Sequence, residues 1–433
     1  MASTSTAKPT ATNGSIPTLA EANAALASGD QSRGESILQS ILSTPPKPDD
    51  EDALKQQEQA LLRLGQLYRD TRNPTQLAAT VRSSRTFMAS IAKAKTAKLI
   101  RSLLDFFADI PDSAKIQIDT IKENIEWARS SRRIFLSQNL ETRLIALYYE
   151  TRQFREALPL IDSLLRELKK LDDKAMLTEV HLLESRVNHA IRNAEKAKAS
   201  LTSARTSANS IYCPPALQAQ LDMQSGILHA EDKDYATAYS YFFETLEGLS
   251  AQAQQAPLAL KYMLLCKVML NLSEDVTAIV QGKVAQKYAG IGRDVEAMQK
   301  VAEAHEKRSL EGFEKTLKEY KDELSADPII RAHLSALYDT LLEQNLLRII
   351  EPYSRVEIDH VASSVGQPVR EVEVKLSQMI LDKTLAGVLD QSNRSLIVFE
   401  DRGRDETYEA SLEALRHISN VVDSLGQKAA KLS

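Results

Sequence analysis

Leu147-Tyr148-Tyr149, a short polar break, and then Phe154-Arg155-Glu156-Ala157 return further along the chain as Gly226-Ile227-Leu228-His229 and Tyr235-Ala236-Thr237-Ala238. Ala197 lies between the two copies, so the small residues Ala157, Ala197 and Ala238 recur at intervals of 40 and 41 residues. Counting back two intervals from Ala157 reaches Leu77, with Gly65 and Tyr68 at the matching offsets; the unit between, near Gln117, fits poorly. Self-similarity at this period marks a chain of repeated supersecondary units, each burying against its neighbours an apolar face it cannot bury alone.

Helical periodicity extends on either side. From about residue 18 to 325, apolar residues recur at i, i+3, i+4 and i+7 between short polar breaks. Leu61, Leu64, Leu67 and Tyr68 mark one face before the break Asp70–Pro74, and Leu144, Leu147 and Tyr148 mark another before Thr151–Gln153. Connections this short force consecutive helices antiparallel. A hairpin with a small residue where its second helix crosses the first resembles a loosened tetratricopeptide unit. The expected fold is therefore mainly α, a right-handed TPR-like helical-hairpin solenoid over 18–325. Met1–Pro17 is rich in Ser and Thr, lacks the apolar run of a secretion signal, and is expected to be a disordered tail.

The texture changes after about residue 325. Asp327-Pro328 reads as a helix start, followed by Ile330, Leu334, Leu337, Leu341 and Leu342 on one face. An extended stretch, Tyr353–Val356, precedes two helices, Glu357–Val365 and Val369–Lys383, joined by Gly366-Gln367-Pro368. Ala386–Asp390 and Ser395–Glu400 then form a hairpin around Gln391–Arg394. This order of elements predicts a winged helix over 326–402. The final segment, 403–433, carries Tyr408, Ser411, Leu415, Ile418, Val422, Leu425, Ala429 and Leu432 in alternating steps of three and four. Such a heptad stripe seeks a helical partner; its alternative is to fold back on its own domain.

Composition narrows the function classes. Of 433 residues, 43% are hydrophobic and 26% charged, enough apolar content for a packed core. The 54 basic and 59 acidic residues leave a net charge of -5, which supplies no long-range field to draw nucleic acid or anionic lipid. Two cysteines, Cys213 and Cys266, suit a reducing compartment. The most apolar run, Tyr262–Leu272, contains Lys267 and is too short to span a membrane. Protein partners are the expectation.

The chemistry-bearing residues do not converge in sequence. The seven histidines (181, 189, 229, 305, 333, 360 and 417) are scattered, and only His181 and His189 sit two helical turns apart. Gly290-Ile291-Gly292 has Val295 at the third glycine position of a phosphate loop and reads as a helix break. Cys213, in Ile211-Tyr212-Cys213-Pro214-Pro215, has no local base and reads as a packed thiol. Asp172-Asp173 and Glu400-Asp401 read as solvated charge, and Trp127 and the tyrosines as core. The second helix of the winged module carries Arg370, Lys375 and Lys383 against Glu371, Glu373 and Asp382, a balance that opposes docking on phosphates. A sheet edge at its hairpin offers β-augmentation instead.

Helical repeats, a winged helix and a terminal heptad helix are the order of PCI-domain proteins. Leu164-Leu165-Arg166-Glu167-Leu168-Lys169-Lys170-Leu171-Asp172-Asp173-Lys174, Ile211-Tyr212-Cys213-Pro214-Pro215, Lys261-Tyr262-Met263-Leu264-Leu265-Cys266-Lys267 and Lys375-Leu376-Ser377-Gln378-Met379-Ile380-Leu381-Asp382-Lys383 narrow the resemblance. They resemble one family of proteasome lid subunits, the eleventh non-ATPase subunit of the regulatory particle. The resemblance implies a non-catalytic scaffold with no cofactor and no metal, acting in ATP-dependent degradation of ubiquitinated proteins in cytoplasm and nucleus. It implies contacts with other lid PCI subunits through Ser354–Lys383, where Arg355, Asp359, His360, Lys375 and Gln378 are the candidates. It also implies a shared helical bundle at Tyr408, Leu415, Ile418, Val422, Leu425 and Leu432. The N-terminal solenoid is then expected to brace the ATPase ring against the core-particle alpha ring, with no nucleic acid or membrane as partner. The equivalent signalosome subunit, or a winged-helix nucleic-acid binder, are the alternatives. The sequence departs from the family at its tail, at 44–51 and at 391–405.

Overall fold

Among the described residues, the stretches of helical periodicity fold as helices, and the polar breaks after Asp70 and after Glu150 fold as turns. The computed structural model describes residues 19–28, 30–43, 51–90, 93–111, 113–249, 256–282, 293–307, 309–325, 327–390, 393–399 and 406–432. The expected tail, the Gly290-Ile291-Gly292 break, Glu400-Asp401 and much of the divergent stretches 44–51 and 391–405 lie outside the described residues. Contacts divide the chain into two compact units after Leu228, inside the span read as one solenoid.

The first unit opens with α1 (Leu19–Ala27), α2 (Gln31–Ser43), α3 (Glu51–Asp70), α4 (Pro74–Ser90) and α5 (Lys93–Ala108). It continues with α6 (Ala114–Ser130), α7 (Ile134–Glu150), α8 (Phe154–Leu171), α9 (Lys174–Ala190), α10 (Ala194–Asn209) and α11 (Pro215–Glu231), whose last residues fall in the second unit. Helices pack on the next element and on the next but one, α3 on α5, α4 on α6 and α7 on α9, which is how stacked hairpins bury successive faces.

Gln117 belongs to the repeat after all. The fourth residues of α4, α6, α8 and α10 are Leu77, Gln117, Ala157 and Ala197, and none is more than 5% exposed. Ala238 holds the same place in α12 (Tyr235–Gly248). The reason this unit is obscure in sequence lies in its turn. Arg72, Arg152 and Arg192 end the first helices of the other hairpins of the first unit in the left-handed region, at φ of 54, 59 and 68°, and Lys233 after α11 takes 66°. Around Arg152, the N–H of Arg152 donates to Tyr149 O at 3.2 Å and that of Gln153 to Tyr148 O at 2.8 Å, closing the helix end. Between α5 and α6 the chain carries Pro111, and Ser113 Oγ donates to Phe107 O at 2.8 Å, so this hairpin lacks the shared turn signature.

Asp172 is exposed at a helix end, as expected of solvated charge, and the pair also shapes the connection between helices. Asp172 takes φ 52° to stop α8, and the Asp173 carboxylate accepts from the N–H of Met176 at 3.3 Å to start α9.

The second unit continues with α13 (Ala256–Met269), α14 (Ser273–Gln281), α15 (Arg293–Glu306), α16 (Leu310–Glu319), α17 (Lys321–Ser325) and α18 (Pro328–Ile350). As the sequence predicts, Asp327 caps α18, accepting from Ile329 N–H at 3.0 Å, and Pro328 fills the first turn. Then come β1 (Arg355–Glu357), α19 (Ile358–Val365), α20 (Val369–Leu381), β2 (Gly387–Asp390), β3 (Ser395–Val398) and α21 (Glu406–Leu432). The three strands form one antiparallel sheet in the order β1-β3-β2. Val356, Val361, Val372, Leu376, Met379 and Leu396 make its core, completing a winged helix. α20 stops two residues short of the expected Lys383, because Lys383 adopts φ 59° and cannot continue a right-handed helix.

Candidate interaction surfaces

Among the described residues, the terminal helix gathers six exposed large hydrophobic side chains on one element. Every described side chain of α21 is exposed, and the heptad residues Leu415, Ile418, Val422 and Leu425 stand at 62, 59, 60 and 58% exposure. The described part of the stripe is thus not folded back on the second unit. Leu412 and Val421, which the heptad reading left out, widen it at 41 and 56%. The side chains of Tyr408 and Leu432 lie outside those described. Covering a Leu-sized side chain contributes roughly 1.5–3 kcal/mol, so this stripe carries enough free energy to hold a partner helix.

In the winged helix, the structure brings together Arg355, Asp359 and His360 at the β1–α19 junction, all exposed. Arg355 donates to Ser395 Oγ from Nε and Nη2 at 3.3 and 3.2 Å, which pins its guanidinium against β3. His360 meets the Tyr353 ring edge-on at 6.4 Å, and Asp359 lies 4.0 Å from Arg394. Gln378 is exposed on α20, whereas Lys375 is only 11% exposed and its Nζ is held by Glu343 of α18 at 2.8 Å. β3 is central in the sheet, so the hairpin's free edge is β2, with Val388 half exposed. That edge exposes backbone N–H and C=O groups able to pair with another strand.

The residues weighed for chemistry are ordinary in place. Burial raises the Cys213 thiol and the charge of Asp222 raises it further; burial alone pushes Cys266 up to about 12. Neither thiol is activated, since nucleophilic cysteines need the opposite shift. His181 Nδ1 lies 2.9 Å from Glu184 Oε2 on its own helix. Among the described residues no three His, Cys, Asp or Glu side chains could hold a metal ion, and no helix is long and apolar enough to cross a membrane. Trp127 packs on the core beneath the Arg133 guanidinium. Tyr212 corrects the expectation that tyrosines are core: it is 89% exposed in the turn before Pro214-Pro215, where no helix places it on a face.

A larger feature escaped the sequence reading. Arg101, Arg143 and Arg186, one from each of α5, α7 and α9, line one groove with Glu179. Their spacing of 42 and 43 residues, close to the repeat, was the available signal.

Known families match all three parts of the chain. Residues 16–151 match the 26S proteasome regulatory subunit RPN6 N-terminal domain, 317–400 the PCI domain, and 404–430 the 26S proteasome subunit RPN6 C-terminal helix domain. The chain is 51% identical to rpn6 of Schizosaccharomyces pombe over 93% of its own length and 96% of that protein's. It is 50% identical to the 26S proteasome non-ATPase regulatory subunit 11 of Dictyostelium discoideum, covering 91 and 94%. With the homolog of that subunit in Arabidopsis thaliana the identity is 48%, covering 93 and 96%. Likeness of this extent, running from the helical repeats to the terminal helix, shows that the chain belongs to the family of the 26S proteasome regulatory subunit RPN6, or non-ATPase regulatory subunit 11.

Proposed function

We propose that the chain is a non-catalytic structural subunit of the proteasome's regulatory-particle lid, acting in the ATP-dependent degradation of ubiquitinated proteins. Relatives about half identical over nearly their whole length bear proteasome regulatory subunit names, which favours this reading over a signalosome subunit. The observation that carries it is the exposed stripe of α21, a helix that matches its own family description. The stripe docks in a bundle of lid helices. The winged helix contacts neighbouring PCI subunits around Arg355, Asp359, His360, Lys375 and Gln378, with β2 as the strand edge available for pairing. The N-terminal hairpins brace the ATPase ring against the alpha ring of the core particle, in cytoplasm and nucleus. The balanced charges of α20 disfavour the nucleic-acid reading, because acids on a groove-reading helix repel phosphates.

Affinity purification of the tagged chain from cells, followed by mass spectrometry, tests the assignment. Proteasome lid and ATPase subunits are expected in stoichiometric yield. Recovery with cullin-modifying partners and without proteasome subunits would overturn it.

A further inference from the structure

The groove of the first unit has a volume of about 600 Å³ and runs across α5, α7, α9 and the start of α11. Its floor is apolar, formed by Leu104, Leu140, Leu183 and Leu217. Among its charged residues are three cations and one anion, in a chain whose net charge is -5. The cations are not equally satisfied. Arg143 pairs with Asp105 at 2.5 Å, and Arg101 donates to Asn139 Oδ1 at 3.3 Å. Arg186 has no hydrogen bond or ion pair among the described residues, and burial holds its pKa below the usual arginine value. Glu179, raised by burial and opposed by the charge of Arg101, does not pair with it. Arg186 is partly buried, so its guanidinium loses some hydration without gaining a carboxylate, and an incoming anion offsets that loss.

We propose that this groove docks an extended acidic segment of a partner protein, with a carboxylate paired to Arg186 and apolar side chains seated on the leucine floor. Neighbouring helices lie roughly 8–10 Å apart. A segment crossing four of them spans about 30 Å, the reach of about nine extended residues. Alternate side chains of such a segment face the groove, matching an apolar floor edged by cations. The chain's own residues 1–17 contain no Asp or Glu and do not fit the charge. Nucleic acid fits less well, because Glu179 and Asp105 sit among the arginines and the floor offers leucines in place of stacking rings.

The test is to pan a phage library of random nine-residue peptides against the full-length chain, then measure the enriched peptides by fluorescence anisotropy. Enriched sequences should mix Asp or Glu with apolar residues. Arg186→Gln should weaken them at least tenfold and Arg186→Lys much less, with circular dichroism unchanged. Gln220→Glu, which adds a carboxylate to the groove from α11, should also weaken them at least tenfold. The proposal is overturned if no peptide is enriched, if binders lack acidic residues, or if Arg186→Gln binds as the wild type does. A nine-residue oligo-dT that binds as tightly as the best peptide would overturn it too.

Discussion

Arg205 of α10 reaches across to α11 and donates from Nη2 to Asp222 Oδ1 at 2.6 Å, where the Asp222 side chain is only 4% exposed. Gln218 Nε2 donates to the same carboxylate at 3.2 and 3.1 Å. A buried carboxylate stripped of its cation is strongly destabilising, at about 3 kcal/mol or more. Arg205→Ala should therefore lower the stability of the first unit by about 3 kcal/mol in urea unfolding. Asp222→Asn, which retains an acceptor without leaving a lone charge, should cost clearly less. Equal stability of Arg205→Ala and wild type would refute the assignment of this pair as a clamp between hairpins.

The wing depends on one glycine. A Cβ added to Gly387 would stand 2.6 Å from the backbone oxygen of Ile397 on the paired strand, which cannot move without opening the sheet. Gly387→Ala is expected to cost about 1–3 kcal/mol by overpacking. Amide exchange should quicken at Leu396 and Val398 while the hairpins of the first unit keep their protection. Unchanged exchange in β3 would count against this.

At Arg152 the usual ranking of substitutions should invert. Its φ of 59° strains any side chain by about 1–2 kcal/mol, and more so a β-branched one. The arginine's charge near the carbonyl end of α7 offsets part of that strain. Arg152→Gly should thus match or slightly exceed the wild type, and Arg152→Val should fall below both by about 1–2 kcal/mol. Thermal melts of the three proteins check the order; a glycine variant less stable than the valine variant would contradict it.

Cys266 supplies a pH dependence. It is 1% exposed on α13, and burial pushes its thiol from 9.0 up to about 12. Above pH 9 the unfolded chain loses a proton that the folded chain keeps, so stability falls as pH rises, by about 1.4 kcal/mol per unit until pH reaches the folded value. Below the unfolded value the thiol adds no slope. Comparing urea midpoints at pH 8 and pH 10, the wild type should lose more stability than Cys266→Ala. Parallel losses in the two proteins would show that the thiol is not the source.

Much of this was legible in the sequence because helix hairpins write their burial into a short period. Ala157, Ala197 and Ala238 announce the repeat, and Gly366-Gln367-Pro368 announces the turn of the winged helix. What stayed hidden was whatever depends on which faces meet. Gln117 occupies the buried position of its unit, but a different turn removes the flanking pattern. Lys375 reads as surface charge until α18 brings Glu343 to it. Arg101, Arg143 and Arg186 converge only when three helices align, and single-residue spacing does not say which arginine finds a carboxylate.

The proposed role, presenting helical faces to other proteins, rests above all on the exposed stripe of α21. Replacing Leu415, Ile418 and Val422 with Glu in the full-length chain, expressed in place of the wild type, tests it on native gels and in glycerol gradients. The variant should leave the proteasome fractions and sediment as a free, folded chain, with the helical circular dichroism of the wild type. Co-migration of the triple variant with intact proteasomes at wild-type levels would contradict the account.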